Sequence, residues 1–372
     1  MLKVGITGQS GFIGTHLYNY LNLKKDKLTV VPFYDNFFQN YDNLKSWVLE
    51  CDVIIHLAAM NRHADESVIY DTNIRLVKQL IEALEDTGKT PHLLFASSLQ
   101  EIRDNKYGRS KKEGRELFAN WARNNNARFT GMVIPNVFGP FGNPYYNSVV
   151  ATFSYQLTHA EDPKIDVDGN LKLIYVGELA EVVYKIIMDG TTGDEYPVSH
   201  SSEKKVSEIL KLLNEYKTVY SDSGIIPILK DRFEVNLFNT FRSYLDHKNR
   251  YPVCFQKKID NRGFFVEVAK AEIGGQISFS STHSGITRGN HFHTRKIERF
   301  AVIKGEALIQ LRQIGKNEGM NFYLSGEKPS YVDMPVWFTH NITNIGKEEL
   351  LTFFWINEFY NEEDPDTYFE IV

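Results

Sequence analysis

The stretch LKVGIT-GQSGFIG-THLYNYLNL, residues 2–23, decides the first half of the fold. Residues 2–7 are an apolar run that reads as a strand, and residues 15–23 read as a helix. Gly8, Gly11 and Gly14 stand between them. Glycine permits a tight turn and lets a pyrophosphate approach the backbone. The helix N-terminus then offers N–H groups and a partial positive charge. A glycine trio alone is weak evidence, so the flanking pattern has to carry the reading.

Further strands read out at 27–33, 52–60, 92–98 and 129–142, with helical stretches at 12–22, 66–87 and 109–125. Strands alternating with helices predict an α/β, Rossmann-like, doubly wound parallel sheet. Its ligands sit at the carboxyl ends of the strands. YGRSK (107–111) puts Tyr107 and Lys111 on one face of a starting helix, four residues apart. A free tyrosine has a pKa of about 10. An ammonium one turn away is expected to lower it, so that Tyr107 passes a proton to or from a substrate oxygen. A serine ending the preceding strand would hold that oxygen. The alternative for this pair is a solvated helix start.

A chain of 372 residues is too long for one ordinary core, which predicts two domains. A net charge of −5 leaves no polyanion-binding footprint, and nucleic acid is not an expected partner. Cys51 and Cys254 lie in apolar, strand-like surroundings and read as two buried free thiols of a reducing compartment. The start of the chain runs straight into a strand, and no apolar run reaches the roughly 18 residues of a membrane span. The expectation is a cytoplasmic protein.

With TGQSGFIG, DVIIHLAA, FASS, YGRSK, PNVFGP and LIYVGELAEVV in this order, residues 1–245 resemble the extended short-chain dehydrogenase/reductase family. The resemblance implies NAD(P)H on Gly8, Ser10, Gly11, Phe12, Ile13 and Gly14, with Leu57, Ala58 and Ala59 lining the dinucleotide. It implies Ser98, Tyr107 and Lys111 as the catalytic set, the latter two also touching the cofactor, with Ser97 as a stand-in for Ser98. Two departures stand out. Only eight residues separate Ser98 from Tyr107, and Val133 and Ile134 occupy the place where an arginine is expected. Asp35 either binds a ribose hydroxyl or sits one loop too late. NADPH is the expected cofactor, and NADH stays open.

Residues 206–245 look helical, and the composition changes at DHKNRYP (246–252). The expected domains are therefore 1–247, a reductase, and 248–372. In the second the helical period disappears, and short strands with turn signals predict an all-β sandwich or barrel. Residues i and i+2 of a strand share a face, so His291 and His293 point inward together. Glu298 lies on the following strand and His340 on a later one. Three imidazoles and a carboxylate suit a transition metal with open positions. Surface histidines are the alternative.

Gly285, His291, His293, Glu298 and Gly305 are similar to the first motif of the cupin family, and the resemblance implies a jelly-roll barrel. The second motif is looser: Pro335, His340 and Asn344 fit, while Trp337 stands at a usual glycine position. SSTHSGITRGNHFH also resembles the sugar-nucleotide 3,5-epimerase branch, which implies that Arg288 binds a diphosphate. That branch uses a base where His291 stands and carries no metal, so the base is left unassigned here.

A reductase fused to such a barrel resembles the bifunctional enzymes of capsular polysaccharide synthesis. The implied substrate is a UDP-activated 4-keto-6-deoxy amino sugar, epimerised at C3 in the barrel and reduced at C4 with NAD(P)H. The product would be UDP-2-acetamido-2,6-dideoxy-β-L-talose. Zinc is the expected metal and a homodimer the expected assembly. Two rival readings stay open: a reductase whose barrel is only a structural zinc or dimerisation module, and an iron oxygenase or isomerase barrel acting on an unrelated metabolite.

Overall fold

The computed structural model describes residues 1–261, 263–271 and 274–372. The chain divides into two compact units. One comprises Met1–Thr152 and Val167–Val206, the other Phe153–Asp166 and Ser207–Val372.

Up to Lys205 the elements run β1 (Leu2–Thr7), α1 (Phe12–Asn22), β2 (Leu28–Val31), α2 (Tyr41–Glu50), β3 (Val53–His56), α3 (Glu66–Thr87), β4 (His92–Ser98) and α4 (Lys106–Asn124). Then follow β5 (Phe129–Ile134), β6 (Asn136–Phe138), α5 (Val149–Thr158), β7 (Asn170–Tyr175), α6 (Val176–Asp189), β8 (Gly193–Pro197) and β9 (Ser202–Lys205). Six strands form a parallel sheet in the order β2-β1-β3-β4-β5-β8. Strands such as Val-Ile-Ile-His in β3 are buried throughout, as a sheet covered on both faces requires. The helices cover it with apolar stripes; α3 presents Ile69, Val77, Leu80 and Leu84. Asp65 caps the start of α3 by accepting from the Ser67 N–H, and Gly88, at φ +64°, ends it. Strand order reverses at β1, with β2 on one side and β3 on the other. That places the ligand crevice at the carboxyl ends of β1 and β3.

After Lys205 come α7 (Val206–Tyr216), a π-helical turn at Lys217–Asp222, α8 (Arg232–Arg242) and α9 (His247–Arg250). Strands then follow: β10 (Val253–Cys254), β11 (Lys258–Asp260), β12 (Gly263–Phe265), β13 (Gln276–Thr282), β14 (Thr287–Phe292), β15 (Glu298–Lys304), β16 (Glu306–Gln313) and β17 (Gly319–Ser325). The last are β18 (Ser330–Met334), β19 (Phe338–Asn344), β20 (Leu350–Ile356) and β21 (Tyr368–Phe369). Two five-stranded antiparallel sheets result, β10-β18-β15-β20-β13 and β17-β16-β19-β14-β21. Their inner faces meet in an all-β barrel: Phe300 of the first packs edge-on against His340 of the second.

Alternation along β15 gives its two faces different work. Glu298, Phe300 and Val302 share one face, whereas Arg299 lies on the other, opposite Asp333 of β18. The Arg299 guanidinium donates twice to the Asp333 carboxylate, at 2.7 and 3.0 Å. The Tyr220 hydroxyl donates to the same carboxylate at 2.7 Å, and Arg242 donates to the Met334 carbonyl at 2.9 Å. These buried contacts join the helices of residues 207–250 to the outside of the β15/β18 sheet. Residues 207–247, expected in the first domain, thus group with the second unit by packing.

Both cysteines are free. Cys51 is buried as expected, but Cys254 is exposed, on β10, a two-residue strand at a sheet edge. Among the described residues, no helix is long and apolar enough to cross a membrane.

Candidate functional site

In the first unit the glycine turn is built by contact, not only by flexibility. Gly8 has φ +67°, and a Cβ there would come within 2.9 Å of the Ala58 backbone. A Cβ on Gly14 would come within 2.2 Å of the Gly8 carbonyl oxygen. The turn therefore lies against the loop carrying Leu57, Ala58 and Ala59. Thr7 holds the two together: its hydroxyl accepts from the Ala58 N–H at 3.2 Å, and its carbonyl accepts from the Leu57 N–H. Asp35 follows β2 closely enough for the Ser10 hydroxyl to donate to its carboxylate at 2.8 Å. That puts an acidic group beside the turn.

Tyr107 and Lys111 come together on the first turns of α4. The Lys111 ammonium is buried, 4.7 Å from the centre of the Phe95 ring and 6.0 Å from that of Tyr107. Burial lowers its pKa to about 8, with Glu101 acting in the opposite direction. The expectation for Tyr107 is corrected. Burial, then the neighbouring Tyr146, raises its pKa to about 12. Loss of hydration penalises the phenolate, and this cost outweighs the nearby ammonium. Tyr107 is thus held as a neutral proton donor.

The two serines differ. Ser97 is buried and donates to the Glu101 carboxylate, which is clamped by the Arg115 guanidinium at 2.7 and 2.9 Å. Ser98 caps the short 3-10 turn Leu99–Ile102, its oxygen accepting from the Gln100 N–H at 3.1 Å.

In the second unit His291, His293, Glu298 and His340 converge, with potential ligand atoms all within 4.8 Å of one another. The Glu298 carboxylate oxygen lies 2.9 Å from His293 Nε2 and 3.4 Å from His340 Nε2. All three atoms are buried, yet none has a hydrogen-bond partner of proper geometry. Orphaned polar atoms gathered around one point fit a cation held among them. The outer nitrogens fix the tautomers. Nδ1 of His293 faces the Asp366 carbonyl and Nδ1 of His340 the Phe338 carbonyl, so both Nδ1 atoms carry protons and both Nε2 lone pairs face inward. The neighbouring His293 and His340 hold the Glu298 carboxyl well below its usual range, against the cost of burial. Burial and the other two imidazoles lower His291 to about 4, leaving it neutral. Three neutral-capable imidazoles and one carboxylate fit a borderline divalent ion such as zinc.

Arg288 joins this face through an irregularity. His291 pairs with His340 and Arg288 with Ile342, but the register shifts between Gly289 and His291. His340 and Ile342 are two apart and share the inward face. The extra residue, Asn290 at φ +60°, therefore returns Arg288 to the His291 side of the sheet. Its guanidinium is exposed and donates to the Thr282 hydroxyl at 3.1 Å and to the Ser281 carbonyl at 3.2 Å.

Comparison with known proteins agrees with both halves. The model of the NAD dependent epimerase/dehydratase family matches residues 4–199, and that of the polysaccharide biosynthesis C-terminal domain matches residues 258–368. The chain belongs to the NAD dependent epimerase/dehydratase family. A Pseudomonas aeruginosa protein named UDP-2-acetamido-2,6-beta-L-arabino-hexul-4-ose reductase is 32% identical over 99% of this chain and 98% of its own. The crystal structure of the capsular polysaccharide assembling protein CapF from Staphylococcus aureus is 32% identical, covers both chains completely and gives a TM-score of 0.63. The Bacillus subtilis spore coat polysaccharide biosynthesis protein SpsL is 27% identical over 30% of this chain and 80% of its own.

Three residues of this family member escaped the sequence reading. Asn73 is buried in α3 and ties Met60, on the loop after β3, to Ser110 in α4. Glu101 braces the serine turn. Asp366 reaches His293 of the candidate metal cluster from far along the chain. A polar residue inside an apolar helical stripe was the available signal for Asn73. The other two act through contacts that no local pattern announces.

Proposed function

We propose that this protein converts a UDP-linked 4-keto-6-deoxy amino sugar in two steps, epimerising C3 in the β unit and reducing C4 at the glycine-turn unit. The product is UDP-2-acetamido-2,6-dideoxy-β-L-talose, destined for capsular polysaccharide. The reading is carried by full-length similarity to a named sugar-nucleotide reductase, which extends over both units.

Bound NAD(P)H would supply the hydride for C4 of the sugar. Tyr107, its pKa raised further by burial, gives its proton to the C4 oxygen, so the ketone becomes a hydroxyl with one hydride and one proton added. Ser98 orients that oxygen, and Lys111 provides the positive charge that offsets the tyrosinate left behind. Gly8, Gly11 and Gly14 admit the pyrophosphate, and Asp35 offers an acceptor for a ribose hydroxyl.

His291, His293, Glu298 and His340 would hold the divalent ion, which supplies Lewis-acid stabilisation of negative charge on the ketone oxygen when C3 loses its proton. The 4-keto group makes that proton acidic, and return of a proton to the other face inverts C3. Arg288, on the same inner face, binds the diphosphate. Later loss of the ketone by reduction makes the inversion permanent. We place this chemistry in a cytoplasmic homodimer, a reading supported by the free thiols and by the exposed Ile277 and Phe279 on edge strand β13.

Proton NMR in deuterated water, with zinc-loaded protein and no reduced cofactor, tests the division of labour. The C3 proton signal of the UDP-4-keto sugar is expected to fade, and NADPH is then expected to convert the sugar. Reduction without any prior C3 exchange would overturn the assignment of epimerisation to the barrel.

A further inference from the structure

The C-terminal segment reaches back to the strand that carries the histidines. β21 pairs with β14, setting Phe369 opposite His291 and Tyr368 opposite Phe292. Just before it lies Asp366, 1% exposed and at φ +39°, a left-handed conformation that aspartate tolerates better than most residues.

Asp366 is bonded at both ends. One carboxylate oxygen accepts from the Thr294 N–H at 3.0 Å and from the Thr294 hydroxyl at 2.6 Å. The other accepts from the Arg295 and Lys296 N–H groups, each at 3.0 Å. Three successive backbone donors and a hydroxyl thus wrap one anion. They belong to the turn that connects His293 to Glu298. The Asp366 carbonyl meanwhile accepts from His293 Nδ1. Lys296 adds a bond from its ammonium to the neighbouring Pro365 carbonyl at 2.6 Å.

From this geometry we propose that Asp366 is the positioning residue of the metal centre. Its carboxylate sets the shape of the turn that spaces His293 from Glu298, and its carbonyl holds the proton on Nδ1 so that Nε2 presents a lone pair. The proposal rests on reading the four-residue cluster as a metal site. It adds that the end of the chain, far from the histidine motif in sequence, decides how well that site binds.

The test uses the full-length protein, with Zn(II) affinity measured by competition against a chromophoric chelator. Asp366→Asn keeps the size but turns an NH2 toward backbone donors, and Asp366→Ala removes the clamp. Zinc affinity is expected to fall by about 10–100-fold in both, the range typical for partners behind metal ligands. The visible spectrum of the Co(II)-substituted protein is expected to change as well, because His293 is no longer held in one orientation. The melting temperature and near-UV circular dichroism of the metal-free variants should stay close to the parent's. Affinity within about twofold of the parent with an unchanged cobalt spectrum would overturn the proposal. So would a metal-free Asp366→Asn protein lacking the parent's near-UV signal, since Asp366 would then hold the fold and not the site. A parent protein that binds no zinc would instead remove the site reading itself, and this proposal with it.

Discussion

Around Lys111 the protein surrounds a single cation with aromatic rings; around Glu298 it crowds imidazoles onto a single carboxylate. In the first place burial sets the protonation, lowering Lys111 and raising Tyr107. In the second place partners set it, and they overcome burial to keep Glu298 ionised. The first arrangement comes from two residues one helical turn apart. The second needs three strands and a clamp from the end of the chain. A site made by one helix turn resists loss of distant contacts, whereas a site made by converging strands depends on all of them.

That contrast can be broken most severely by His291→Ala together with His340→Ala. These remove two of four ligands from different strands. Zinc content by mass spectrometry is expected to fall to background, and C3 exchange to stop. Binding of NAD(P)H and reduction of a substrate supplied as the C3 epimer should continue. Stoichiometric zinc in the double variant would end the ligand assignment.

A smaller but still large effect is expected from Tyr107→Phe. It removes the proton donor and leaves the barrel untouched. NADPH oxidation should drop by about 10²–10⁴-fold, the usual worth of a positioned acid, while deuterium exchange at C3 persists. Undiminished NADPH oxidation would show that Tyr107 is not the acid.

The gentlest probe is pH. Lys111 is an ammonium below its pKa of about 8 and an amine above it. The kcat/KM for reduction should therefore be flat below that pH and fall about tenfold per unit above it. Glu101 is the group that opposes this lowering, so Glu101→Gln should move the alkaline limb to lower pH. A limb that stays in place would detach Glu101 from Lys111.

What the sequence disclosed follows the same divide. The glycine turn, the Tyr107–Lys111 spacing and the His291–His293 alternation are local, and local geometry is what residue order encodes directly. His340 and Glu298 were reachable because a barrel pattern brings strands together. Burial was less legible. The direction of the Tyr107 shift depends on desolvation by neighbours distant in sequence. Cys254 looked buried because its neighbours are apolar, but β10 ends at a sheet edge. The helices after residue 206 resembled a continuation of the α/β pattern, yet their polar groups Tyr220 and Arg242 meet Asp333 and Met334 on the barrel. The role of Asp366 depends on a contact across more than 70 residues, for which no spacing rule exists.

The irregularity at Asn290 has a meaning for how such a chain can change over generations. A strand is a two-sided tape, and gaining or losing one residue turns over everything on one side of the edit. Losing Asn290 would leave His291 and His293 facing Glu298 but would turn the arginine before them to the outside. Gaining it lets one short strand present an imidazole and a guanidinium to the same side of the sheet. A single codon thus decides whether Arg288 shares a face with the histidines.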